Sequence, residues 1–296
     1  MTPHPPIENQ GDGRRSTLRR IAASKTGAVG LAILALLFLV ALLAPWLAPY
    51  EAYSIQATKL MPPSATYPMG TDNIGRDLLS LVLMGTRTSL AIGIIAAVMA
   101  LLVGAFFGLV AGYFPGAVEA AFLRITDLFQ TLPVIVVVLF VTAQFGSGFW
   151  LLTICVALVI WPLEAKLIHG QVLYFRNREF IVAAEAAGLS NVHIIFREIL
   201  PNALPSIVVQ VALDASVAIM IESGLGFLGL TDPSVPSWGS LLNAAQNYLE
   251  SAWWMSLFPG MAISLAILGF NFFADGVNDA LNPRRRGNRL RWSRAG

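Results

Sequence analysis

Three carboxylates, Asp127, Asp214 and Glu222, lie in or beside stretches that are otherwise almost free of charge. An aspartate in hydrocarbon costs about 2.5–3.5 kcal/mol on insertion scales, so such groups turn toward a bundle interior or a wet cavity. Two readings of Asp214 stand: it lines a polar path, or it closes an internal hydrogen bond to a helix end or to another subunit. Glu222, two helical turns further on, shares the path reading. Its place beside the glycine-rich stretch 224–229 favours a structural role. Asp127 follows Arg124 by three residues, a spacing suited to a local ion pair. Catalytic arrangements are harder to find. His4, His169 and His193 are scattered without metal-ligand spacing, and the latter two read as surface residues. Cys155, the only cysteine, can form no internal disulfide. There is no nucleophile–base arrangement and no G-x-x-x-x-G-K-[ST] phosphate loop. The reading is therefore of a chain with no catalytic residue, no metal and no bound cofactor.

The elements that must position these carboxylates are membrane helices. The 296 residues are 56% hydrophobic and only 12% charged, with a mean hydropathy of +0.69, against about 25% charged residues in ordinary soluble domains. No charge occurs from Thr26 to Tyr50, enough to cross roughly 30 Å of hydrocarbon. That run is too long for a signal-peptide core and lacks a small-x-small cleavage site, so it reads as a retained anchor. Uncharged runs place helices at about 27–47, 89–113, 120–144, 150–168, 203–223 and 251–274, with Phe145-Gly146-Ser147-Gly148-Phe149 as the break between the third and fourth. The expected fold is an all-α polytopic membrane protein with six transmembrane helices.

Basic residues orient these spans. Arg14, Arg15, Arg19, Arg20 and Lys25 precede the first span, and six arginines from Arg284 to Arg294 follow the last. With the N-terminus inside, Lys166, Arg176, Arg178 and Arg197 also fall on the cytoplasmic side, while Lys59, Arg76 and Arg87 face out. Residues 1–26 and 284–296 are thus expected to be cytoplasmic tails, their charge marking a membrane face rather than nucleic-acid binding. In the second helix, Gly104, Gly108 and Gly112, with Gly93 and Ala97 near the same stripe, have the spacing that lets another helix approach closely.

Residues 179–201 interrupt this pattern with a polar elbow. Glu179–Ala187 reads as a helix with Phe180, Ala183, Ala184 and Ala187 on one side. Gly188 suits the left-handed position that ends it, Ser190 can cap the next helix, and Leu189 and Ile194 are spaced for a hydrophobic staple. Val192, Ile195, Phe196, Ile199 and Leu200 then follow helical spacing, and Pro201 and Pro205 mark the entry to the fifth span. A flat, small-residue face allows close docking of a soluble partner; an interfacial helix pair resting on headgroups is the alternative.

The elbow resembles the cytoplasmic motif of ABC importer permeases: E-A-A, three residues, Gly, nine residues, I-x-L-P. Gly188, Leu200 and Pro201 anchor the match and place its alanines at Ala183 and Ala184. Val182 then stands where the family has glutamate, and Glu198 where it has isoleucine; Glu179 or Glu185 is positioned to substitute for the missing carboxylate. Gly70-Thr71-Asp72-Asn73-Ile74-Gly75-Arg76-Asp77, Gly224–Leu230, Pro236-Ser237-Trp238-Gly239 and Asp275–Pro283 are similar to segments of the C-type permease of dipeptide and oligopeptide importers.

The resemblance implies a type I ABC importer permease fold over about 27–283, in the cytoplasmic membrane of a bacterium or archaeon. It implies a B-type permease partner, two ABC ATPases that hold ATP and Mg, and an external peptide-binding protein. Ala183, Ala184, Glu185, Gly188, Leu189, Ser190, Leu200 and Pro201 would form the ATPase-coupling surface. On the path reading of the buried carboxylates, Asp214, and with it Glu222, would line a translocation path, Asp214 attracting a peptide's amino end; the internal hydrogen bond is the alternative.

The long external stretch, about 48–86, carries Asp72, Arg76 and Asp77, which with Arg87 just beyond it are read as an ion-pair cluster that folds the loop. Contact with the binding protein or partner permease is the alternative for these residues, and Trp238 joins it as an interface anchor or part of an external gate. Other solutes of the same family, nickel chelates among them, remain open as cargo. A self-sufficient channel or carrier would need a polar pore or proton relay that scattered carboxylates do not supply.

Overall fold

The computed structural model describes residues 24–281, so the arginine-rich tails, together with Asn282 and Pro283, lie outside the described residues. Among these residues every named element is helical. Ser24 caps α1 (Lys25–Leu47) by accepting a hydrogen bond from the Gly27 N–H. The central α2 (Leu78–Tyr113) is followed by α3 (Ala117–Thr131), α4 (Val134–Phe145), α5 (Phe149–Arg176) and the short α6 (Glu179–Ala186). A long α7 (Asn191–Phe227), α8 (Trp238–Ala245) and α9 (Trp254–Leu281) complete the chain. Among the described residues five helices are long and apolar enough to span a membrane, or six if the bent pair α3–α4 counts as one span.

Helix α2 begins eleven residues before the expected start at Ser89. Asp77 decides the boundary: its Oδ2 accepts from the Ser80 N–H at 2.8 Å and from the Ser80 hydroxyl at 2.6 Å, capping a helix that one exposed arginine, Arg87, does not interrupt. The third span, expected as one helix over 120–144, is broken by 80° between Thr131 and Val134. Pro133 explains the break, since it has no N–H to donate and disfavours helical geometry at Leu132. Pro133 lies inside an uncharged run, so the charge pattern does not mark it.

The glycine stripe of α2 meets α5. A Cβ on Gly108 would lie 2.6 Å from the Ala165 carbonyl oxygen, and one on Gly112 2.7 Å from Val172 Cβ, so the backbones touch as the spacing predicted. Gly93 belongs to a different contact, because a Cβ there would lie 2.5 Å from Ile219 Cγ1 on α7. Helix α2 is thus clasped on two sides. Helix α9 closes the bundle against α1, where Gly30 abuts the backbone of Phe272 and Phe273.

Candidate functional site

The elbow is built from two capped helix ends. Ala187 ends α6, and Gly188 follows at φ +76°. The Gly188 N–H donates to the Glu185 carbonyl at 2.9 Å and the Leu189 N–H to the Ala184 carbonyl at 3.2 Å, the paired bonds of a Schellman stop. Two residues on, Ser190 Oγ accepts from the His193 N–H at 3.3 Å and starts α7. The chain therefore reverses over Ala187–Ser190 with its helix-end groups paired.

Within α7, Ile194–Ile199 is π-helical, the Leu200 N–H reaching back to the Ile195 carbonyl. This widened turn ends just before Pro201, whose missing N–H leaves the Arg197 carbonyl without an α-helical donor. The apolar residues of the second helix consequently divide. Ile194, Ile195 and Ile199 are buried with Ile181, Leu109, Tyr113, Ile168 and Val172, whereas Val192 and Phe196, expected on the same face, are exposed. Helical spacing assigned them wrongly because π turns carry more residues than α turns. Leu189 is likewise exposed while Ile194 is fully buried.

The exposed side of the elbow carries Phe180, Val182, Leu189, Val192 and Phe196, with Ala183, Glu185, Gly188, Ser190 and Pro201 also exposed and Ala184 and Leu200 half-buried. Several exposed apolar side chains on one short elbow mark an interaction surface. The buried side is tied to α2 at Tyr113, whose hydroxyl donates to Asn191 Oδ1 at 3.0 Å. The Arg176 guanidinium lies 5.9 Å from the Tyr113 ring centroid.

Within the bundle, Asp214 is sealed at 1% exposure and its Oδ1 accepts from Gln210 Nε2 at 2.8 Å. In this conformation it makes an internal hydrogen bond within α7. The residue beside it, Glu164, is fully buried and was missed in the sequence, where it simply ended the uncharged run at Leu163. Only the packing reveals its burial, since the glycine-lined contact at Gly104 covers the α5 face on which Glu164 sits. Asp127 pairs with Lys166 at 2.7 Å, not with Arg124, because Lys166 comes from the facing α5. His169 is buried, not on the surface, and its Nε2 lies 2.9 Å from Glu119 Oε1.

At the opposite end, the predicted contact residues fold inward. Asp72 accepts from the Ile74 and Arg76 N–H groups and from Arg76 Nε at 2.6 Å, and Asp77 caps α2. Both carboxylates are buried, so neither offers a contact surface. Arg76 is largely covered. Arg87 is exposed and outside the cluster, with no ion pair among the described residues.

Trp238 is fully buried, which removes it from any external surface. Its N–H donates to Ser89 Oγ at 3.1 Å and its Nε1 to the Val82 carbonyl at 3.4 Å. Ser89 in turn donates to Glu222 Oε2 at 3.1 Å. The ring fits because Gly85 leaves room beside it, and Gly226 meets Gly239 at backbone contact. The strings Gly224–Leu230 and Pro236–Gly239 thus form one interlocked clasp that holds Glu222.

The family described as binding-protein-dependent transport system inner membrane component matches residues 104–287. The chain belongs to this family. The N-terminal transmembrane domain of oligopeptide transport permease C matches residues 14–63 as well. This permease is 37% identical over 294 residues to the dipeptide transport system permease protein DppC of Alkalihalophilus pseudofirmus, covering 97% of each chain. It is 36% identical to the probable D,D-dipeptide transport system permease protein DdpC of Escherichia coli, covering 86% of each. A glutathione transport system permease protein of Pectobacterium atrosepticum is 37% identical, covering 87% of this chain and 86% of that one. The inward-facing MetNI methionine ABC transporter has a similar fold, with a TM-score of 0.58 at 18% identity over 69% of this permease and 98% of that chain. The chain is accordingly an all-α, multi-pass inner-membrane permease subunit of an ABC importer, of the C type.

Proposed function

We propose that this permease moves peptides across the membrane by alternating access, driven by ATP hydrolysis on two separate ATPase subunits. A B-type permease completes the pathway and an external peptide-binding protein delivers the cargo. The substrate class rests on the dipeptide permeases among its relatives. In this reading both termini lie in the cytoplasm, which the basic tails support.

One observation carries the coupling role. The elbow presents Phe180, Val182, Leu189, Val192 and Phe196 outward while its other side is locked into the core beneath α2 and α5. An ATPase seated on that face would move the helices as a body. Val182 replaces the motif glutamate, so the contact rests on shape and apolar burial; Glu179 and Glu185, both exposed on the same elbow, are the available carboxylates.

The test is Gly188→Val in the assembled complex. A Cβ at Gly188 would meet nothing within 4 Å, so the substitution acts through the φ of +76° alone. ATPase activity of the soluble subunits is expected to persist while peptide uptake collapses. Gly188→Asn, which tolerates the left-handed region, is expected to retain uptake. Normal uptake by Gly188→Val would remove the elbow as coupler.

A further inference from the structure

Glu164 on α5 and Asp214 on α7 place two carboxyl groups against each other inside the bundle. Glu164 is 0% and Asp214 1% exposed. Both oxygens of Glu164 and Oδ2 of Asp214 have no hydrogen-bond partner, although each is buried. Only Asp214 Oδ1 is satisfied, by Gln210. Buried polar atoms are rarely left orphaned, and three carboxyl oxygens at one spot call for an occupant.

The surroundings supply no cation among the described residues. Helix α2 presents Gly104 here, an ideal Cβ of which would lie 3.0 Å from Glu164 Cβ and Cγ. Lys166, two residues along α5, turns away to Asp127 and Gln130 of α3. Helix α9, packed on the other side of α7, offers the neutral Asn271 to Ser216. The titratable groups that face the pair are thus each other. Two adjacent carboxylates in a low-dielectric interior cannot both be ionised without severe repulsion.

We propose that Glu164 and Asp214 form a buried proton site, holding one proton between them that clamps α5 to α7. Gln210 already occupies Asp214 Oδ1 as a donor, which assigns the proton to Glu164. Its O–H then donates to Asp214 Oδ2, giving both atoms partners through a short, charge-assisted bond. The remaining Glu164 oxygen is a neutral carbonyl, much less costly to bury than a carboxylate. Removing the proton leaves two facing anions, and the contact between the helices opens. The site is independent of the elbow reading, because neither residue touches the coupling surface.

The test is thermal unfolding of the purified, assembled complex in detergent across mildly acidic to alkaline pH. The wild-type midpoint is expected to fall by several degrees as pH rises. Glu164→Gln carries a permanent N–H donor toward Asp214, so its midpoint should fall by less than half as much. Asp214→Asn places the donor on the other side and should flatten the profile in the same way. A wild-type midpoint independent of pH, or either variant following the wild-type fall, overturns the proposal. Failure of both variants to assemble also overturns it, because an amide is close in size and shape to the protonated acid it replaces.

Discussion

The Tyr113 hydroxyl donates to Asn191 Oδ1 across 3.0 Å, joining the last residue of α2 to the first of α7 at the base of the elbow. Tyr113 is buried and Asn191 exposed, so the bond fixes the orientation of the elbow more than it stabilises the fold. Tyr113→Phe keeps the ring and removes the hydroxyl's contacts with Asn191 and Glu185, each a loss of about 0.5–1.5 kcal/mol. Thermal stability of the complex should therefore change little. In reconstituted vesicles, however, solute moved per ATP hydrolysed is expected to fall severalfold. An unchanged ratio would show that the elbow transmits motion through its isoleucine core alone.

The α2–α5 contact makes a sharper stability prediction. Gly108→Ala would set a methyl 2.6 Å from the Ala165 carbonyl oxygen and 3.0 Å from Ile168 Cβ. Overpacking of this sort costs about 1–3 kcal/mol. Gly170→Ala, on α5, meets nothing within 4 Å, and should be neutral or stabilising by up to about 1 kcal/mol through helix propensity. Thermal midpoints of the two purified variants should move in opposite directions or differ by several degrees. Equal midpoints would mean that the two helices separate at little cost.

These two contacts show what was legible in the sequence. The glycine spacing on α2 and the Gly188 stop are local rules of backbone geometry, and both carry through to the fold. Pairing across helices is not local. Asp127 has Arg124 on its own helix but bonds Lys166 on α5, because packing of α3 on α5 decides which cation is near. Trp238 follows the same logic: beside a membrane surface it reads as an anchor, yet the space at Gly85 draws it into the core. Glu164 was hidden for another reason. A charge at the end of an apolar run looks like the edge of the membrane, whereas α5 continues to Arg176 and α2 covers it. The π turn at Ile194–Ile199 shifts residues off α-helical spacing, so the outward face of the elbow had to be seen rather than counted.

Asp232 gives a pH prediction outside the spans. Its Oδ1 accepts from the Ser234 hydroxyl at 2.6 Å and the Ser234 N–H at 2.8 Å, and these bonds hold the carboxyl below its ordinary value. A depressed folded value means that the stabilisation is present above the unfolded value of about 3.9 and is lost as pH falls through the folded one. The turn 231–236 should therefore loosen in acid. Hydrogen exchange, corrected for intrinsic rates, is expected to show lost protection there below about pH 4. Asp232→Asn should remove that acid dependence. Persistence of the acid limb in the variant would assign it to another carboxyl.

Ser89 is the centre of the clasp at the other end of α2. It donates to Glu222 Oε2 at 3.1 Å and accepts from the Trp238 N–H at 3.1 Å, so one hydroxyl joins α2, α7 and α8. Ser89→Ala leaves the buried Trp238 N–H without its partner and leaves the Glu222 carboxyl to Ser237 and to the longer bond from Ser223, at 3.4 Å. An orphaned buried donor costs about 1–3 kcal/mol, and the same substitution also takes one bond from the buried Glu222. Ser251→Ala is the matched control, since its hydroxyl makes a single exposed bond to the Tyr248 carbonyl and should alter stability by less than about 0.5 kcal/mol. Unfolding midpoints of the two variants should separate by several degrees. If they coincide, water must enter the clasp and replace the hydroxyl, and Trp238 would then be held by ring packing alone.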